Sequence, residues 1–408
     1  MKRFLGFLVS VLLLASLFTL PAMAEDSIEF MTGTSIDSAL YMQYQDMVAQ
    51  FAAANPDAPA IELIPSSTDH EGEVKTRLAG GNAPDMWMTH GWSLGRYADY
   101  LTDLSAEEWA TSVSLLLDGV MRGANGEIYA LPLNVDIAGI LYNADVLASV
   151  GYTADDIKTW DDFITCCRKL KDAGKTPIYN AGKDRWPTGL YVDWIAPGCF
   201  SQADLEGMLT GTFAQESYRK VLDMVNTFTT NGFFNADYSS ATSDDIARAL
   251  AQGETGFSFI MNFVLVTAFE YAPDAKLGFM QIPAFTAENQ PYYVVGEKDA
   301  IGAWKDGANV DTCKAFLRFL AQPENVAALA SASGQMSGLT NATSDLGSLQ
   351  ASVDKASAYA GVPYFDRVFM PSGAWDAIVS TTEMVVTQQQ TVDVALAQIA
   401  ADYQELKK

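Results

Sequence analysis

Two histidines, His70 and His90, are the whole supply of imidazole in a chain of 408 residues. Imidazole is the usual general base near neutral pH and a common metal ligand, so His-dependent chemistry has little to draw on. His70-Glu71 opens like the zinc motif H-E-x-x-H, but the second histidine of that motif is missing. Gly91-Trp92-Ser93-Leu94-Gly95 fits the G-x-S-x-G nucleophile elbow and follows a predicted strand. In hydrolases built on that elbow the histidine comes after the serine, whereas both histidines here precede Ser93. Ser352-Val353-Asp354-Lys355 fits S-x-x-K, but Lys175-Thr176-Pro177 lacks the glycine of K-T-G and S-D-N is absent. No G-x-G-x-x-G and no P-loop occurs, so no nucleotide cofactor is signalled. Among 50 acids a pair could flank a glycosidic bond, which leaves one catalytic alternative: a secreted carbohydrate-active hydrolase. Most of those acids are expected simply to face water. Cys166, Cys167, Cys199 and Cys313 form no C-x-x-C and read as small buried apolar residues. A bridge from Cys199 to Cys166 or Cys167 is the alternative. The expectation is a non-enzyme with no metal and no cofactor.

The aromatic residues point elsewhere. Trp160 falls on a helix face and reads as core. Trp92, Trp186, Trp194 and Trp375 lie beside Gly or Pro, or in predicted loops. A flat ring offers a large apolar area with only two torsions to freeze, which suits the apolar face of a sugar ring. Asp, Asn and His at the edges can bond the hydroxyls. Each ring taken alone fits core packing equally well.

The elements that would position these residues alternate. Strand Ile28–Met31, a helix through Leu40 to Phe51 stopped by Pro56, strand Ile61–Ile64, a short helix at Val74 and Leu78, and strand Asp85–Met88 read as a parallel α/β series. A second series follows. Ile137 to Tyr142 is a predicted strand, with Asn143 capping the next helix. Thr159-Trp160-Asp161-Asp162 resembles a capping box with Asp at its last position, opening a helix closed by Gly174. Tyr218 to Phe228 is a further helix, and Gly256–Met261 and Leu277–Ile282 are predicted buried strands. The helix carrying Cys313, Phe316, Leu317 and Leu320 is expected to end at Pro323, and Val392 to Leu406 is an amphipathic tail helix. The net charge of −25 argues against nucleic acid and anionic membranes as partners. Lys2 and Arg3, the apolar run Phe4 to Leu20, and Ala22-Met23-Ala24 read as an export signal cleaved after Ala24. No cysteine lies near that site, so no lipid anchor is expected.

Five segments in order resemble the family 1 extracellular solute-binding proteins of ABC transporters, the maltose-binding-protein-like sugar receptors. Leu78-Ala79-Gly80-Gly81-Asn82-Ala83-Pro84-Asp85 matches their "aaG.aPDv" turn. Gly126 to Pro132 with Leu141-Tyr142-Asn143, and Thr159 to Phe163 with Leu170 to Gly174, match two more. Gly253 to Phe263 and Lys314 to Leu320 with Pro323-Glu324-Asn325 complete the set. Phe263 stands where a tryptophan is usual.

The resemblance implies a two-lobe α/β fold with central, mostly parallel sheets. It places residues 25–132 and 297–350 in lobe one, and 133–296 and 351–408 in lobe two. The chain would cross near Pro132, Gly296 and Ser352. A mono- or oligosaccharide would sit between the lobes and be handed to a membrane permease, with the protein a monomer in the periplasm or secreted. The resemblance also implies a binding set. Thr34, His90 and Trp92 would come from lobe one, and Asp136 and Gly296 from the crossings. Trp186, Trp194 and Phe263 would be lobe-two rings, with Tyr364, Arg367 and Trp375 from the late segment. Arg185 or Arg367 would be available for an acidic sugar.

Overall fold

A computed structural model describes residues 27–65, 70–89 and 94–407. The candidate export signal, and with it His90, Trp92 and the serine of the G-x-S-x-G pattern, lies outside the described residues. Among the described residues, thirteen strands form three mixed sheets. They are β1 (Ile28–Met31), β2 (Ile61–Ile64), β3 (Met86–Met88), β4 (Leu131–Pro132), β5 (Asn134–Ala138), β6 (Ile140–Asn143) and β7 (Thr176–Ile178). The rest are β8 (Thr255–Ser258), β9 (Leu277–Met280), β10 (Tyr292–Gly296), β11 (Ala300–Ala303), β12 (Met336–Ser337) and β13 (Ala360–Pro363).

The first lobe is built on the order β2-β1-β3-β11-β4 and the second on β7-β8-β6-β9. Between them runs a middle sheet, β12-β5-β10-β13. The helix-linked neighbours pair in parallel, β1 with β2 and β3, and β7 with β8, as right-handed crossovers require. Strands that return from the other lobe pair antiparallel, as β11 does with β3 and β5 does with β10.

Most elements arise where the residue pattern puts them. The helix Ala39–Ala54 buries Leu40, Tyr44, Met47 and Phe51, and its Ser38 cap accepts a bond from the Tyr41 amide at 3.1 Å. The Thr159 box closes as expected. The Asp162 amide donates to the Thr159 hydroxyl at 3.2 Å, and the Thr159 amide donates to the Asp162 carboxylate at 2.9 Å. Asn143 caps its helix by accepting from the Val146 amide at 3.0 Å. Trp160 lies in the second-lobe core, stacked on Phe259. All four cysteines are buried and unbridged.

Two strands differ from expectation. The single strand Ile137–Tyr142 is two, broken at Gly139, because β5 belongs to the middle sheet and β6 to the second-lobe sheet. A Cβ at Gly139 would lie 2.2 Å from the Met280 carbonyl oxygen, so the backbones meet where only glycine fits. The strand at Gly256 covers Thr255–Ser258, and Phe259 to Met261 continue as buried loop. The helix before Pro323 stops at Leu320 as expected, and Pro323 also opens a new helix, Pro323–Ala332, where its missing N–H costs nothing.

The crossings are polar and specific. The Asn134 side chain donates to Asp299 at 2.7 Å, and its oxygen accepts from the Lys298 and Asp299 amides at 3.0 Å each. One buried amide thus ties β5 to the segment joining β10 to β11. Among the described residues no helix is long and apolar enough to cross a membrane.

Candidate functional site

A cavity of about 670 Å³ opens between the lobes and draws its lining from both, as well as from the crossing and late segments. That volume lies within the range of small-molecule sites. The first lobe contributes the turn after β1. Gly33 there adopts φ +63°, and a Cβ would meet Met88 at 2.5 Å. This glycine brings Thr34 to the cavity wall. The second lobe contributes Trp186 at the start of the helix Trp186–Ile195. The residue before it, Arg185, has φ +61°, a conformation disfavoured for any side chain and one that concentrates at functional sites.

Trp186 stacks on Phe263 with centroids 6.3 Å apart, and the Lys298 ammonium lies 5.3 Å from the Phe263 centroid. Trp375 lines the same wall. Gly189 makes room for it, since a Cβ there would stand 2.8 Å from the indole. Tyr364 closes the floor, its hydroxyl donating to Asp136 and its ring covered by the Arg367 guanidinium at 3.9 Å.

The structure therefore brings Thr34, Trp186, Phe263, Tyr364, Arg367 and Trp375 to one cavity. Three expected residues stand behind the wall instead. Trp194 is fully buried, its indole N–H donates to the Gly139 carbonyl at 2.9 Å, and its ring meets Tyr364 edge-on. Asp136 is fully buried beneath Tyr364. Gly296 does permit a close approach, but by the Tyr364 ring, which a Cβ would meet at 2.9 Å. Arg185 turns outward to Ser380 at 3.0 Å and to Glu383, away from the cavity.

Several lining residues had no signature in the sequence: Glu71, Arg96, Asp193, Lys298, Asp299 and Asp366. Asp193 had the best available clue, being the one carboxylate in the otherwise apolar run Trp186–Ile195. These charges are paired with one another and with Glu297. Arg96 lies 3.6 Å from Glu71 and 3.5 Å from Asp366, Lys298 3.1 Å from Asp299, and Arg367 3.6 Å from Glu297. The Asp366 amide donates to the Asp193 carboxylate at 2.8 Å. Burial, and next the charge of Asp366, hold the Asp193 carboxyl well above the usual carboxylate range. Burial also raises Asp366, with Arg96 and Arg367 opposing. Rings on one side and a ring of hydrogen-bonding groups on the other suit a ligand with apolar faces and many hydroxyls.

Residues 46–359 match the family of bacterial extracellular solute-binding proteins. The chain is 27% identical over 345 residues to the melibiose/raffinose/stachyose-binding protein MelE of Bacillus subtilis, covering 82% of this chain and 79% of that one. A Bacillus subtilis binding protein solved in an open conformation superposes with a TM-score of 0.85 at 24% identity, covering 94% of this chain and 98% of its own. A Bacillus licheniformis sugar transporter protein solved in complex with stachyose gives 0.83 at 25% identity, covering 93% and 100%.

Proposed function

The chain belongs to the family of bacterial extracellular solute-binding proteins, and from that premise we propose that it is the exported carbohydrate receptor of an ABC importer. It takes a mono- or oligosaccharide into the interlobe cavity, closes over it, and delivers it to a membrane permease. The observation that carries this reading is the cavity itself, where Trp186, Phe263 and Trp375 stand among hydrogen-bonding side chains drawn from both lobes. The ligand names of the relatives agree with it.

The charges favour a neutral sugar. Each cation in the cavity already faces a protein carboxylate, Arg96 with Glu71 and Asp366, Lys298 with Asp299, Arg367 with Glu297. A uronic acid would have to break such a pair and enter a cavity rich in carboxylates, at a desolvation cost a neutral hydroxyl does not incur. The lobes are taken as residues 25–132 with 297–350, and 133–296 with 351–408. The export signal is taken to end at Ala24, and the receptor works as a monomer.

Closure does the work of recognition and no bond is broken. Ligand touching both lobes stabilises the closed state, and the permease reads that state as occupancy. A thermal-shift screen against neutral and acidic sugars tests the reading. A neutral oligosaccharide at 100 times its dissociation constant is expected to add ~2.7 kcal/mol of stability. It should be recovered intact after prolonged incubation. No shift with any sugar would sink the receptor reading, and cleavage at enzymic rates would revive the carboxylate-pair hydrolase.

A further inference from the structure

A second cavity of about 260 Å³ lies beside the interlobe site, and the two share Arg96 and Arg367 in their walls. Its other lining comes from Leu94 and Gly95, from Gly119 and Val120, and from Val368, Met370 and Ser372. It therefore takes its walls from segments far apart in the chain, as the main cavity does. It is less than half the volume of the main cavity. Arg96 and Arg367 are the two residues that line both spaces.

Those two groups are held very differently. Arg367 is fixed: it donates to the Glu297 carbonyl at 2.6 Å, faces the Glu297 carboxylate, and lies flat on Tyr364. Among the described residues, Arg96 meets carboxylates at 3.5 and 3.6 Å, beyond good hydrogen-bond length. Its two partners also come from different parts of the fold, Glu71 on the helix His70–Ala79 and Asp366 on the late segment. Arg96 can leave Asp366 and keep Glu71, and the buried Asp366 carboxyl then still has the positive charge of Arg367 opposing its burial. The planar guanidinium edge it presents suits paired hydroxyls as well as a carboxylate.

Resting on the carbohydrate reading above, we propose that the second cavity is an additional sugar subsite and that Arg96 is the movable partition that sets the length of oligosaccharide accepted. A short ligand fills the main cavity with Arg96 in place. A longer one displaces Arg96 from Asp366 and seats a further ring against Gly119 and Ser372.

The test uses melibiose, raffinose and stachyose, a di-, tri- and tetrasaccharide, titrated into the wild-type protein and two variants. Arg96→Ala removes the partition, and Gly119→Leu adds bulk at the wall of the subsite. A Cβ at Gly119 would have no atom within 4 Å, and the backbone there is not left-handed, so a larger side chain meets open space. Ligand-free melting of both variants checks that they fold. The stachyose-to-melibiose affinity ratio is expected to rise about tenfold in Arg96→Ala and to fall by a similar factor in Gly119→Leu. Equal ratios in all three proteins, or an equal loss of every sugar in Arg96→Ala, overturn the inference while leaving the receptor reading intact. Failure of the wild-type protein to bind any of the three overturns both.

Discussion

Trp186 and Trp194 sit at the two ends of one helix and do opposite things. Trp186 is half-buried and faces the cavity, while Trp194 is fully buried with its N–H committed to Gly139. Nothing in the sequence separates them, because the helix between them is apolar almost all round and has no polar stripe to reveal which side faces water. The distinction is testable. Trp194→Ala should cost ~3–5 kcal/mol of ligand-free stability, the usual loss for a buried aromatic ring. Trp186→Ala should leave ligand-free melting nearly unchanged and weaken sugar binding by ~1–3 kcal/mol, as truncation of a contact ring does. Melting and calorimetric titration of both variants give the two readings. Should Trp186→Ala melt as low as Trp194→Ala, its ring is core and the cavity wall lies elsewhere. The charged lining was invisible for a related reason. Arg96, Lys298 and Asp366 carry no periodic signal, and in a chain with 50 acids only three-dimensional proximity distinguishes a cavity carboxylate from a surface one.

Elements were far more legible than their partners. The tail helix runs Val392–Leu406 as its apolar spacing dictates, and the Thr159 box forms because Asp can close it as Glu or Gln would. Local chemistry decides such features. The break at Gly139 is different, since it exists because β5 and β6 join different sheets, and strand partners are set by residues far away in the chain. Two glycine substitutions expose the contrast. Gly139→Ala would drive a Cβ to 2.2 Å from the Met280 carbonyl oxygen, and a backbone atom cannot rotate aside. The expected loss is about 3 kcal/mol, the upper end of ordinary overpacking costs. Gly207→Ala, inside the helix Gln202–Leu209, would make only ordinary contacts at 3.6 and 3.7 Å to Thr212. It should gain about 0.5–1 kcal/mol from helix propensity. Urea unfolding of the two variants decides it, and a Gly139→Ala protein as stable as wild type would mean that the crossing can shift to absorb a side chain.

At the scale of the whole molecule, motif order carried what periodicity could not. Short strands of similar composition pair in three sheets, and their assignment to one lobe or the other follows from the resemblance rather than from any single run of residues. Once the topology is in place, its mechanical consequence follows. The lobes are joined by strands of the middle sheet, where β5 and β10 lie antiparallel and wholly buried. The chain changes sheet over one to three residues at Leu133, Gly139, and the 297–299 segment that Asn134 grips, and over longer connections between β9 and β10 and between β11 and β12. Hinge motion of packed lobes concentrates dihedral change at such element ends, while the sheets on either side move as rigid units. A ligand that touches both lobes gains contacts only in the closed arrangement, so it must shift the population toward closure, and a ligand held by one lobe would not. Small-angle X-ray scattering reports this directly. With a saturating concentration of any sugar that raises the melting temperature, the radius of gyration should fall and the scattering profile should move to that of a more compact two-lobe particle. Saturable binding with an unchanged profile would show that the sugar is held without lobe closure, and the hinge at the middle sheet would then have no part in recognition.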